Sequence, residues 1–382
     1  MARKQPRSAR VWSRRRFASA AAGTVLGSAA LAGCTAEPVD EDDDPTDTED
    51  DSGVAYDGPG VTPEGTPWAD LPELSGSLTI YSGRREAQID PILTAIEEEY
   101  DDLTVSIRYD DNEAHLTTLL EEGQGSPADI LYTQDSGTLG ALANEGRTVP
   151  LTDDVLETVP SNWRDPEGTW TGVSGRTRCV AYNTDVWDAD ELPTDIYAYP
   201  DDERFVDEMG WRVDSGSFLA FVRAMMIVDG EERTREFVDG MQDAGITNYE
   251  GGSTTPEAIA AGEVSVGFIN QYYAGRLLAD RPDAPLNVTF TDDIGSLFNV
   301  SGAAVLDSAD DPDLARDFVR HLLGTEGQQF FVDTNREYAV IPGIDYVGEL
   351  PTLSELDSPD FDLNRLADIE PAVDLLREVG IR

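Results

Sequence analysis

After its fourth residue the chain has no lysine: Lys4 stands alone, and every later cation is an arginine. Cysteine and histidine are almost as scarce, with two of each in 382 residues. No serine–histidine or cysteine–histidine pair is placed for nucleophilic catalysis. His115 and His321 fall on predicted helices with apolar neighbours one turn away, as on a solvated or partly packed face. No glycine-rich phosphate loop follows a predicted strand. With a formal charge of -49 the chain offers no basic footprint for nucleic acid. Past residue 31 no apolar run is long enough to cross a bilayer.

What is present begins with an export signal. Ser13-Arg14-Arg15-Arg16-Phe17 carries twin arginines, and a small-residue apolar stretch follows from Ala18 to Leu31. It ends in Leu31-Ala32-Gly33-Cys34, which reads as a lipobox. Residues 1–33 are therefore expected to be removed, with Cys34 acylated as the mature N-terminus. The expected product is exported folded by the twin-arginine route and held on the outer face of the cytoplasmic membrane. A single lipid is only part of a stable anchor. Losing the seven basic residues of the signal takes the charge from -49 to -56. Such a surface repels itself in dilute salt, whereas molar salt shortens the Debye length to roughly 3 Å. The balance reads as halophilic, salt-in adaptation. With Cys34 lipidated, Cys179 has no disulfide partner, and its setting in Arg178-Cys179-Val180-Ala181-Tyr182 predicts a buried strand residue.

Residues 34–75 read as an acidic tether. Ten acidic side chains fall between Glu37 and Asp51, and Gly and Pro follow. Such a stretch buries too little apolar surface to fold. The folded part, 76–382, is long enough for two lobes. Strands are predicted at Ser77–Tyr81, Leu103–Tyr109, Ala128–Tyr132, Arg178–Tyr182 and Val264–Ile269. Between them lie helical spacings such as Ile89, Ile92, Leu93 and Ile96. This alternation predicts a largely parallel α/β sheet. In such sheets ligands lie beyond the C-terminal strand ends. Four segments fall there: Tyr81–Arg85, Tyr132–Ser136, Tyr182–Asp185 and Asn270–Tyr273. The last holds the adjacent phenols Tyr272 and Tyr273. Phenolate is a hard anionic donor, suited to ferric ion over soft or weakly charged metals. Adjacent tyrosines can also be core packing, and sugar or peptide receptors line clefts with tyrosine.

In order and separation, these segments resemble the ferric-ion-binding proteins of bacterial and archaeal ABC importers, within the periplasmic type II binding-protein superfamily. The markers are Tyr81-Ser82-Gly83-Arg84, Pro127–Thr133, Ser174–Arg178, Asp214–Phe218, Asn270-Gln271-Tyr272-Tyr273, Ser301–Val305 and Arg336-Glu337-Tyr338. The resemblance implies two α/β lobes with hinge strands and an interlobe cleft. Lobe 1 would span about 77–173 and 300–345, and lobe 2 about 176–295 and 346–382.

It also implies Fe(III) on Tyr272, Tyr273 and Tyr182. A carbonate or other anion would be held at Ser215-Gly216-Ser217 and Asn270. Where many members place a histidine this chain has Arg84 and Arg85, and where some use glutamate it has Gln134. Those departures favour three phenolates with an anion held by Arg84 or Arg85, and leave Gln134 outside the first ring of ligands. The resemblance further implies an ABC permease as partner, a monomer, and no catalysis. Arg176 and Arg178 flank the predicted hinge and read as structural. The alternatives are the same fold around thiamine, a polyamine or an oxyanion, and more remotely an exported hydrolase. Asn287-Val288-Thr289 and Asn299-Val300-Ser301 match glycosylation sequons.

Overall fold

The computed structural model describes residues 65–344, 350–352 and 361–381. The predicted signal, Cys34 and the acidic run of the tether lie outside the described residues. So do 345–349, 353–360 and 382 of the expected C-terminal region. Among the described residues no helix is long and apolar enough to cross a membrane.

The first lobe starts where the sequence alternates. In β1 (Gly76–Ser82) Leu78 and Ile80 are buried. Helix α1 (Glu86–Glu99) buries Ile89, Ile92, Leu93 and Ile96, the stripe expected from their spacing. Strand β2 (Leu103–Tyr109) alternates inward and exposed residues, as an edge strand with one packed face should. Helix α2 (Asn112–Glu122) stops at Gly123, whose φ of 58° suits glycine. Strand β3 (Ile130–Thr133) is wholly buried, and α3 (Ser136–Asn144) is capped by Asp135, which accepts from the Thr138 amide at 3.2 Å.

A short helix, α4 (Asp153–Leu156), precedes the long strand β4 (Thr171–Tyr182), all twelve residues of which are buried. Its first half pairs with β9 (Phe298–Val305) and its second half with β7 (Val266–Asn270) and β8 (Asn287–Thr289). Strand β4 thus leaves the first lobe and β9 returns to it. The second lobe adds β5 (Met209–Trp211), α5 (Gly216–Asp229), α6 (Glu231–Asp243), β6 (Thr247–Asn248), α7 (Thr254–Ala261) and α8 (Gln271–Asp280). After β9 the chain completes lobe 1 with α9 (Pro312–Leu323), α10 (Thr325–Asp333) and β10 (Tyr338–Ala339). The strand order is β2-β1-β3-β9-β4-β7-β5-β6, with β8 and β10 both on β4. Pairing is parallel around β1 and β5 but antiparallel wherever β4 or β9 takes part. The sheet is therefore mixed, because the two crossing strands carry the chain between lobes without a helical crossover.

Besides the mixed pairing, which departs from the largely parallel sheet that the alternation predicts, three expectations change. The tether was expected to reach residue 75, yet the chain is folded from Gly65. The Thr325 hydroxyl donates to the Gly65 carbonyl at 2.7 Å, and the buried Trp68 ring donates to the His321 carbonyl at 2.7 Å. A single large aromatic is enough to hold this segment, which the surrounding Gly and Pro disguised. The C-terminal region was placed wholly in lobe 2. Helix α11 (Glu370–Glu378) does pack on α5, but the turn Leu363–Ala367 packs on α3 of lobe 1. There the Asn364 amide oxygen accepts from the Trp170 ring at 3.0 Å. The histidines are fully buried, not on open faces. The ring of His115 meets the Ser82 carbonyl at 3.0 Å, and that of His321 meets the Tyr100 hydroxyl at 2.8 Å.

Candidate functional site

Several helices begin around one cavity of about 510 Å³. From lobe 1 come the starts of α1 (Arg85), α2 (Asp111, Asn112, Glu113) and α3 (Gln134, Asp135); from lobe 2 come those of α5 (Ser215, Gly216, Ser217) and α8 (Asn270, Tyr272, Tyr273). Each helix follows a strand whose C-terminal end faces the cleft, and first-turn N–H groups with the helix dipole favour negative charge there. Ser215 caps α5 by accepting from the Phe218 amide at 3.2 Å.

Tyr272 and Tyr273 are the second and third residues of α8. Their ring centres lie 4.3 Å apart at 46°. The Asn270 amide donates to the Tyr272 hydroxyl at 3.3 Å and to the Ser217 hydroxyl at 2.9 Å, tying the two helix starts together. Tyr273 lies against Gly252. A Cβ added there would meet the phenol ring at 2.0 Å and its oxygen at 2.2 Å, so only glycine leaves room for it.

The phenols are ringed by guanidinium groups. Arg276 sits over the Tyr272 ring, 4.9 Å from its centroid. Arg212 is held by Asp214 at 2.8 Å. Arg178 lies over Phe221, 5.0 Å away, and donates to the Phe268 carbonyl at 2.8 Å. Arg176 is only 4 % exposed, lines the cleft, and no carboxylate pairs with it among the described residues. Burial pushes the Tyr273 phenol well up, and Tyr272 beside it adds to this; Arg212 and Arg276 pull the other way without reversing it. Burial lowers the Arg178 pKa to about 10 and also lowers that of Arg85, while the nearby phenols favour the charge of both. Burying cations is costly, and a negative ligand relieves that cost. The opposite wall carries Asp110, Asp111, Glu113 and Asp135.

Of the residues singled out from sequence, Arg85, Gln134, Ser215, Gly216, Ser217, Asn270, Tyr272 and Tyr273 meet here. Tyr182 does not. Strand β4 runs antiparallel to β7, so Arg178 is opposite Asn270 while Tyr182 is opposite Val266, at the other end. That is roughly 14 Å along the strand, at about 3.4 Å per residue. The strand-end rule applies to parallel strands, and β4 is not one. Tyr182 is buried, and burial, then Asp188, raises its pKa. Arg84 reaches the cleft wall but is committed elsewhere. Its guanidinium donates to Glu337 at 2.9 and 3.1 Å, to Ser174 at 3.1 Å and to Ser301 at 2.5 Å. Arg85 is left as the arginine of the first loop that faces the cavity. Arg176 and Arg178, read as structural, line it instead. The signal was available: two arginines two apart inside a buried strand are rare unless something anionic meets them. Cys179 is a core residue as expected, its thiol raised by burial to about 12 and therefore unreactive.

Two lobes bridged by crossing strands, with a cleft of convergent helix starts between them, define a solute receptor. Residues 82–329 match the family model of the bacterial extracellular solute-binding proteins, and the chain belongs to that family. Its architecture is the two-lobed type II periplasmic-binding-protein fold. Among individual proteins it is similar to iron uptake protein A1 of Synechocystis sp., with 28% identity over 335 residues, spanning 84% of this chain and 91% of that protein. It is also similar to the major ferric iron-binding protein of Neisseria meningitidis, with 26% identity over 322 residues, 82% of this chain and 96% of that one. Among solved structures, iron-bound HitA from Pseudomonas aeruginosa superposes with a TM-score of 0.72 at 31% identity, covering 80% of this chain and 99% of that one.

Proposed function

We propose that this protein is the receptor of an ABC-type iron importer, capturing Fe(III) between its lobes and delivering it to a membrane permease. The observation that carries this reading is the Tyr272–Tyr273 pair, placed at the start of α8 and open to the cleft. A trivalent cation holds phenols as phenolates at neutral pH, as other metals deprotonate their ligands. The positive end of α8 favours the same ionised form. The names of the similar proteins support ferric ion as cargo.

Two phenolates leave a ferric ion one positive charge and open positions. An anion such as carbonate completes the shell, held by Arg176, Arg178 and Arg85 together with Ser217 and Asn270. Arg84 and Tyr182 have no part in it. Gln134 lines the cleft from lobe 1, where closure of the lobes would bring it near a bound ion. Outside the cleft, the reading includes export through the twin-arginine route, a lipid on Cys34, a tether, a monomeric receptor and a working environment of molar salt.

Ferric citrate mixed with the protein in high salt tests it. Binding yields a red-to-orange charge-transfer band from ferric phenolate, and its absence overturns the assignment. An arginine-lined cleft also suits an oxyanion alone. Calorimetry with phosphate or bicarbonate, without iron, distinguishes that reading: heat with anion and no band with iron would favour it. A radiolabelled palmitate or mass-spectrometric test of Cys34 addresses the anchor separately.

A further inference from the structure

The residue before the phenol pair is buried and spoken for on both sides. Gln271 opens α8 and is fully enclosed. Its amide oxygen accepts from the Thr177 backbone at 2.9 Å, and its amide nitrogen donates to the Arg336 carbonyl at 3.3 Å. Thr177 is the last residue of β4 paired with β9, where the strand passes from one lobe to the other. Arg336 has a φ of 58°, an unusual value for a side-chain-bearing residue, and directly precedes Glu337.

Glu337 is the carboxylate that holds Arg84, and both are nearly inaccessible. Ser174 on β4 donates to Glu337 at 2.6 Å, and Ser301 on β9 takes a hydrogen bond from Arg84. Arg84 is in turn the neighbour of Arg85, which lines the lobe 1 wall of the cleft. A continuous buried chain therefore runs from the phenols of lobe 2, through Gln271, the Arg336 peptide and Glu337, to the arginine loop of lobe 1, with contacts to both crossing strands.

We propose that Gln271 is a positioning residue that couples the phenol-bearing start of α8 to the buried Arg84–Glu337 pair, and so sets the angle between the lobes. It rests on the receptor reading only for its effect on iron; the lobe geometry it predicts holds without any ligand. Rigid lobes joined by two strands turn at the strands, and polar groups buried at the turning point have few alternative partners. An amide that bridges one strand to the strained peptide of the other lobe makes one lobe angle preferable to its neighbours. Removing it leaves the phenols and arginines in place but lets the angle drift.

The test uses the full chain with spin labels on p-acetylphenylalanine in place of Glu121 in α2 and Glu232 in α6, both exposed and on different lobes. Double electron–electron resonance reads the interlobe distance without iron, and competition with a chelator reads iron release. For Gln271→Leu the distance distribution broadens relative to the parent, and release is faster by about five- to tenfold, the size expected from one or two hydrogen bonds. The association rate and the wavelength of the ferric band stay as in the parent. Ser301→Ala, a milder cut in the same chain, shifts both readouts in the same direction if Gln271→Leu does not fold. Unchanged distances and release in the folded variants would overturn the proposal while leaving iron binding intact. A broadened distance in a protein that binds no iron would instead uphold the coupling and sink the cargo.

Discussion

The guanidinium of Arg276 lies 4.9 Å from the centre of the Tyr272 ring, one helical turn along α8 from it. It also lowers the pKa of Tyr273, against the larger opposing effect of burial. A cation in this place favours the ionised Tyr273 phenol that a ferric ion requires. Arg276→Gln should weaken iron binding by about 1 kcal/mol, roughly fivefold at pH 7. The pH at which the band is half formed should rise, since phenol ionisation becomes harder. A pH titration of the band in both proteins checks this; a midpoint that stays or falls contradicts it.

Loss of the phenols themselves is the stronger test. Tyr272→Phe and Tyr273→Phe should each reduce affinity by more than about a hundredfold, above the cost typical of groups that only support a ligand. Binding displaces protons, so affinity in the parent should climb with pH and collapse on acidification. With burial holding Tyr273 neutral in the empty cleft, proton release on iron binding should be measurable at neutral pH by calorimetry in two buffers.

Gly252 offers a steric route to the same site. Gly252→Ala places a methyl group 2.0 Å from the present Tyr273 ring, and the ring must move. Overpacking of this kind costs about 1–3 kcal/mol in stability. The ferric band should lose intensity and affinity should fall, although no donor atom has been removed. Spectra and thermal melts of the two proteins, compared side by side, are sufficient.

The N-terminal strap gives two predictions about stability. Trp68→Ala should cost about 3–5 kcal/mol, as for other buried aromatics, and should expose residues 65–75 to protease. His321, against which Trp68 packs, is held neutral: burial lowers its pKa to about 4, from about 6.5 in an unfolded chain. Between those values the unfolded chain takes the proton and the folded chain refuses it. Stability therefore drops as pH falls from about 6.5 to 4 and is unaffected by this group above that window, for a total of about 3 kcal/mol. His321→Gln should flatten that part of the melting-temperature profile.

Much of the fold could be read from periodicity. The stripe Ile89, Ile92, Leu93 and Ile96, the alternation in Leu103–Tyr109, and the stop at Gly123 each report local geometry, and the structure follows them. The site was legible where function also sits on local signals, as at Ser215-Gly216-Ser217 before α5 and at Tyr272–Tyr273. Strand direction was not. Nothing local distinguishes an antiparallel crossing strand from a parallel one, and this misplaced Tyr182. Partner choice was equally hidden: Arg84 and Arg85 look alike in sequence, but a carboxylate more than 250 residues away claims the first. The sequon at Asn299 is a similar case. Its side chain is buried in β9 and accepts from the Ser136 hydroxyl at 2.9 Å, so a glycan there is incompatible with the folded strand.

The C-terminal stretch touches both halves of the molecule, the turn Leu363–Ala367 resting on α3 and α11 on α5. It acts as a tendon strung across a joint. Any swing of one half must either slide one of these seats or stretch the link between Ala367 and Glu370, a few residues long. The travel of the jaws is thus limited by this stretch, and cutting the chain after Thr352 should leave a receptor that gapes.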